Sequence, residues 1–184
     1  LMSNPSTPES AIILNPMEQK RKTLFQGYTS VRDKARAAQD EYSTMLTNQR
    51  NYQDMGMSGG SDALYKKMGF AADQATSYSD TQKRHAKLFD EQLNSAVDED
   101  VDQDVQSLTM DRQGLPVADP SRIRARAEQL ATKYGLRKDQ EFIKDAYNRI
   151  TSRVQAGVLE PRAQELFAKE KDKIIEGEKD KVWK

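Results

Sequence analysis

One histidine and no cysteine limit the chemistry that these 184 residues can perform. A chain without cysteine has no disulfide, thiolate zinc site, iron–sulfur cluster or cysteine nucleophile. The lone histidine, His85, excludes multi-histidine metal centres and is the one residue available for histidine acid–base chemistry. Its place in a helical repeat indicates a packed polar residue or an interhelical hydrogen-bonding residue rather than a catalytic one. We therefore predict a non-enzymatic protein without catalytic, cofactor-binding or metal-binding residues.

An acidic run at residues 98–104 is the other group of side chains with recognisable chemistry. Asp98, Asp100 and Asp102 have the spacing of the first, third and fifth positions of a calcium-binding EF-hand loop. Gln103 replaces the glycine of the sixth position, and Thr109 replaces the bidentate glutamate of the twelfth. We interpret the run as a solvated face or fraying end of a helix. Weak binding of a divalent cation and docking of a basic partner are the alternatives.

A third candidate site begins with three arginines at alternate positions, Arg122, Arg124 and Arg126. Downstream of them, Ala131 and Gly135 lie four residues apart, with apolar residues beside both. This segment resembles the first helix and turn of a helix-turn-helix DNA-binding motif. The resemblance implies a recognition helix after Gly135, but Glu141 stands where that helix should bury an apolar residue. The competing interpretation is a plain corner between two helices.

The alternative function is thus a nucleic-acid-binding module at residues 120–150, with an N-terminal hairpin as its dimerisation element. Nucleic acid is the less favoured partner class, because phosphates would repel the acidic residues of the recognition helix that the resemblance places after Gly135. The candidate contacts are Arg122, Arg124, Arg126, Lys133, Arg137 and Lys138.

The elements that position these residues begin with a long helical hairpin. Asn15, Pro16 and Glu18 form a strong helix start. From there to about residue 55, apolar residues recur in steps of four and three, which is typical of a coiled-coil seam. Three glycines within residues 56–60 break the pattern, which then resumes in a second helix, so an antiparallel hairpin is predicted. The predicted interface residues of this seam are Leu24, Tyr28, Val31, Tyr42, Met45, Tyr52, Leu64, Met68, Tyr78 and Phe89.

The seam is poor in large apolar side chains. Alanine and glutamine occupy many of its positions, among them Ala35, Ala38, Gln49 and Gln82. Because alanine buries little area, we expect the hairpin alone to be marginally stable. A third or fourth helix is needed, supplied by the C-terminal region or by neighbouring copies of the chain.

The region after the hairpin is predicted to contain three shorter helices and no β-strand. One starts after Asp119-Pro120 and stops at Gly135, a second runs from about residue 138 to Gly157, and a third starts at Pro161. The predicted organisation is an extended arm at 1–15, the hairpin at 16–110, a linker at 111–120 and a basic helical region at 121–184. Its charged tail is expected to fray unless it is docked.

Composition points to assembly rather than to a compact globule. Only 33 of the 184 residues are Leu, Ile, Val or Phe, while the formal net charge is zero. Residues 1–110 carry 12 basic and 16 acidic groups, and residues 111–184 carry 17 and 13. No stretch is long enough for a membrane span or resembles a signal peptide, so we expect a cytoplasmic or virion location.

The favoured interpretation is therefore an all-α structural subunit of a larger, homo-oligomeric complex. Its partners would be further copies and other protein subunits. Long cysteine-free helices that contain glutamine and methionine suggest, more specifically, a phage internal or ejection-type virion component.

Overall fold

A computed structural model describes residues 12–54, 62–102 and 104–182. The predicted all-α fold with a long helical hairpin is confirmed. Helix α1 (Pro16–Asp54) packs against helix α2 (Asp62–Val101), and they are followed by α3 (Pro120–Lys133) and α4 (Gln140–Val182). The glycine-rich turn and most of the N-terminal arm lie outside the described residues. Within the described ranges, no helix combines the length and the apolar character that crossing a bilayer requires.

Helix α1 begins with the predicted capping interaction. The backbone N–H of Glu18 donates to Asn15 Oδ1 at 2.8 Å, and the backbone N–H of Asn15 donates to Glu18 Oε1 at 3.2 Å. This reciprocal pair satisfies two backbone donors and places a carboxylate at the positive end of the helix. Helix α3 starts in a similar way, because the backbone N–H of Ser121 donates to Asp119 Oδ1 at 3.0 Å.

The chain divides into two compact units, and the division falls inside α2. The first unit comprises Leu1–Leu93 with Tyr134–Leu136. The centre of its core is Phe25, which has no exposed surface. The ring of Phe25 meets the rings of Phe89 and Tyr134 edge to face, with centroid distances of 5.5 and 5.0 Å. This aromatic cluster supplies much of the apolar volume that the alanine-rich seam lacks.

The second unit comprises Asn94–Lys133 with Arg137–Lys184. Helices α3 and α4 pack against each other within it, and the C-terminal end of α2 contributes to the same core. Buried apolar residues recur on the facing sides of these helices at helical spacing: Val97, Val101, Ile123, Ala127, Leu130, Phe142, Ala146, Ile150 and Val154.

A two-stranded ribbon corrects the expectation that the chain has no strand. After α2 and a short 3-10 helix (Val105–Leu108), β1 (Thr109–Arg112) pairs antiparallel with β2 (Leu115–Ala118). Gln113 and Gly114 connect them with φ values of 57° and 78°, as a type I′ turn requires. A two-residue type I′ turn makes the flanking pair, Arg112 and Leu115, a hydrogen-bonded pair, so the next pair, Asp111 and Pro116, is a non-hydrogen-bonded one. At such a pair the backbone nitrogen does not donate to the partner strand, so a proline costs no hydrogen bond of the ribbon and does not break the strand.

Helix α4 corrects a second expectation, because one helix occupies the place of the two predicted on either side of Gly157. The helix passes Gly157 and Pro161 without ending. Glycine and proline lower helix propensity by about 1 and 3 kcal/mol, and the good helix formers that follow compensate for this. A Cβ on Gly157 would lie 3.4 Å from Val105 Cγ1, which is an ordinary contact distance, so Val105 packs beside the helix at this position.

Candidate interaction surfaces

An open apolar groove of about 410 Å³ lies between α1 and α2 in the first unit. Three residues of the predicted seam, Leu24, Tyr28 and Val31, line it from α1. Leu88 lines it from α2 with 43% of its surface exposed. The absent side chain of Gly27 widens the groove, since nothing lies within 4 Å of the position that a Cβ would take. The groove therefore leaves part of the predicted seam open to solvent.

The aromatic cluster beneath the groove fixes the position of Tyr28. Its ring stacks on that of Phe89, with centroids 4.1 Å apart and planes 12° from parallel. The side chain of Gln82 donates to the Tyr28 hydroxyl at 3.5 Å. The wall of the groove is therefore held by both stacking and a hydrogen bond across the two helices.

The other predicted seam residues differ in burial. Met68 and Phe89 are buried, whereas Tyr52 near the end of α1 is 44% exposed. The remaining members are half-buried, namely Tyr42, Met45, Leu64 and Tyr78. Sequence reasoning missed Phe25, the most buried residue of α1, because the strict four-three alternation passes through its neighbour Leu24. The adjacent pair Leu24 and Phe25 could have indicated that the buried face of α1 includes Phe25.

His85 also lines the groove, and it is exposed. The expectation that it packs between the two helices is wrong. The buried face of this part of α2 runs through Phe89 and Leu93, which places His85 to one side of it. His85 is therefore available to anything that covers the groove.

The acidic run is ion-paired within the second unit, and Asp98, Asp102 and Asp104 keep 45–53% of their side-chain surfaces exposed, as expected for a solvated helix end. Arg126 of α3 contacts Asp100 Oδ2 at 3.3 Å and Asp104 Oδ2 at 2.5 Å. Arg153 of α4 contacts Asp98 Oδ1 at 3.5 Å and also pairs with Asp102. The four aspartates thus alternate between two arginines. Among the described side chains, no cluster of acidic or histidine ligands could hold a metal ion.

These contacts compensate an unfavourable helix end. The last turn of α2 has no basic residue of its own, and acidic groups near a helix C-terminus are repelled by the helix dipole. The Arg126 guanidinium also donates to the backbone carbonyl of Asp100 at 3.4 Å. Its hydrogen bond to Asp104, together with one from Ser107, lowers the pKa of the Asp104 carboxyl below 3.8. The same contact with Asp104 raises the pKa of Arg126.

An open cleft of about 500 Å³ beside these ion pairs, also in the second unit, carries both signs of charge. Asp98 and Asp145 line it together with Arg149 and Arg153. Arg149 donates to Asn94 Oδ1 at 2.6 Å. The charges in the cleft balance, so the cleft does not favour a ligand of one sign.

The six predicted nucleic-acid contacts are not gathered into one free basic surface. Arg126 is held by the acidic run, Arg122 pairs with Asp119 at 3.3 Å, and Arg124 pairs with Glu128 at 3.2 Å. Arg122 also donates to the carbonyl of Thr109 at 2.7 Å, so it supports the ribbon.

The other three predicted contacts, Lys133, Arg137 and Lys138, surround the turn between α3 and α4. Lys133 is half-buried, and the other two are exposed. Gly135 lies in the turn between the helices with a φ of 72°, as a helix–glycine–helix corner requires.

No protein-family model, curated protein or solved structure matches this chain.

Proposed function

We propose that the protein is a non-enzymatic structural subunit that assembles with further copies of itself through the groove between α1 and α2. The observation that carries the proposal is the open apolar groove lined by Leu24, Val31 and Leu88. Apolar surface of this kind, continuous and bordered by polar residues, is typical of protein interaction sites.

The amino-acid composition gives the same proposal independent support. With few large apolar residues and no net charge, the chain gains from covering a groove with a second chain, and no long-range repulsion opposes the contact. The more specific form of the proposal is a phage internal or ejection-type virion component. Its support is the combination of long helices, glutamine- and methionine-containing seams and the absence of cysteine.

Sedimentation velocity over a range of protein concentrations tests the proposal. The natural sequence should form a larger species as concentration rises, and its association should persist at high salt because the groove is apolar. Leu88→Glu should weaken association about tenfold or more, because it places a charge in the covered groove.

Phe70→Glu is the matched control. Phe70 lies on the same helix, is 65% exposed and does not line the groove. It should leave association unchanged. A chain that stays monomeric at the highest concentration would contradict the proposal, as would equal effects of the two substitutions.

A further inference from the structure

Three apolar residues, Ile12, Ile13 and Leu14, come directly before the cap of α1. This 12–14 segment forms neither helix nor strand. Ile13 has 96% of its surface exposed, so nearly all of its side chain meets water. A single exposed apolar residue indicates no partner by itself. Ile13 is informative because an apolar groove lies open farther along the same helix.

The groove of a chain is out of reach of that chain's own Ile13. Along α1 the groove extends from Thr23 to Val31, which is about 10 to 23 Å from Pro16 at 1.5 Å per residue. The three steps from Ile13 to Pro16 span at most about 11 Å. Even a chain that reversed its direction at once would bring Ile13 only to the near end of the groove.

The cap of α1 opposes such a reversal. The backbone N–H of Asn15 donates to Glu18 Oε1, and its side-chain oxygen accepts from the backbone N–H of Glu18. The carbonyl oxygen of Asn15 accepts from the backbone N–H of Gln19 at 2.9 Å. These three hydrogen bonds fix the backbone directly after the 12–14 segment. The segment of a second copy is free of this restriction.

The 12–14 segment and the groove match in chemistry. The segment has three aliphatic side chains and no charged one. Among the described residues that line the groove, none is aspartate, glutamate, lysine or arginine, and Leu24, Val31 and Leu88 supply aliphatic surface from both helices. Two such surfaces gain free energy by leaving water together. Because neither carries a fixed charge, their contact buries no unpaired ion.

We propose that Ile13 of one copy inserts into the groove of a second copy, with Ile12 and Leu14 packing beside it. The inference rests on the proposed function and names the part of the second copy that covers the groove. The two surfaces that meet are different, so the contact between them is heterologous. The competing arrangement, in which two grooves face each other, would leave Ile13 in water.

A mixture of two defective variants tests this contact by sedimentation velocity. Leu88→Glu damages the groove and keeps the 12–14 segment, whereas Ile13→Glu does the reverse. Each variant alone should associate at least tenfold more weakly than the natural sequence, because each places a charge in the contact. Their equimolar mixture should associate at least tenfold more tightly than either variant alone. It should stop at one chain of each kind, because the remaining segment and groove would bring two glutamates together.

The substitutions at Ile13 are unlikely to act through the fold of the chain, since the side chain is almost fully exposed. An acidic residue just before a helix also interacts favourably with the positive end of the helix. Thermal unfolding of Ile13→Glu at low concentration should therefore match that of the natural sequence. Ile13→Leu is the matched control, because it keeps an aliphatic side chain of the same size, and its association should stay within about twofold of the natural value.

Disulfide formation between single-cysteine variants gives a second readout, since the natural chain has no cysteine. When Ile13→Cys and Leu88→Cys chains are mixed, oxidation should link one chain of each kind faster than two chains of the same kind. Phe70→Cys is the control, because Phe70 does not line the groove, and it should link slowly to Ile13→Cys. Faster linkage between two Leu88→Cys chains would show that groove faces groove and would overturn the proposal.

The proposal is also overturned if Ile13→Glu associates as tightly as the natural sequence, or if the mixture associates no better than its components. These outcomes leave the proposed function standing as long as Leu88→Glu weakens association. If Leu88→Glu has no effect, the groove is not the assembly surface, so the proposed function fails and the insertion of Ile13 fails with it.

Discussion

Replacing Phe25 with alanine is expected to lower the free energy of unfolding by about 3–5 kcal/mol, as for other large-to-small changes in a core. Phe25 has no exposed surface and meets the rings of Phe89 and Tyr134 edge to face. Each such aromatic pair adds about 0.5–1.5 kcal/mol beyond the buried area. The three rings come from α1, α2 and the turn after α3, so filling the cavity would require these separate elements to shift. The upper part of the range is therefore expected.

Leu24→Ala is the matched substitution, because Leu24 is the neighbour that the heptad pattern selects. It is half-buried beside the open groove. Half of the gain from burying a leucine side chain is about 1 kcal/mol, so we expect a loss of that size. The two substitutions thus separate the buried face of α1 from the face that lines the groove.

Urea unfolding followed by far-UV circular dichroism measures both free energies. Low protein concentration keeps self-association from adding to the stability. The slope against urea should be the same for both variants and the natural sequence, which indicates that the transition is comparable. If Leu24→Ala destabilises the chain as much as Phe25→Ala, the core does not lie where the structure has it.

Three further substitutions test single features. Gly135→Ala should destabilise by about 1–3 kcal/mol in thermal unfolding, because φ is 72° and the added Cβ would lie 2.6 Å from Gln26 Nε2. Arg126→Gln should remove a contribution of Asp104 that is present above pH 3.8 and lost as pH falls through its lowered pKa; melting curves of the two chains should converge in acid, and a constant difference would contradict this. Gln113→Asn should stabilise by a few tenths of a kcal/mol, since asparagine tolerates a positive φ better; a loss of ribbon hydrogen-exchange protection would argue against the turn type.

Local signals in the sequence predicted the helices that start with a cap. Asn15 and Glu18 bond each other across three residues, and Asp119 acts two residues from Ser121. Such interactions depend only on neighbours, so the sequence contains all the necessary information. The ribbon was missed because Gln113 is not a usual residue of a type I′ turn, and a Gly with a nearby Pro is more often a loop.

The ion pairs of the acidic run could not be predicted from the sequence. Arg126 lies 22 residues from Asp104, and Arg153 lies 51 residues from Asp102. Nothing in the local pattern links these positions, since their meeting depends on how α3 and α4 pack within the second unit. The same holds for Tyr134, which enters the aromatic cluster of the first unit from a turn 109 residues after Phe25.

The amount of buried apolar surface differs along the hairpin, and this difference is relevant to assembly. Near Phe25 the seam is completed by Tyr134, so the C-terminal region supplies part of the extra packing that a thin seam needs. Farther along, the buried seam positions of α2 include Ala71 and Ala75, and their burial yields little free energy. The best-packed part of the hairpin still leaves an apolar groove beside it, and the proposed self-association would supply further packing there. That gain in packing is the physical reason for the proposed assembly.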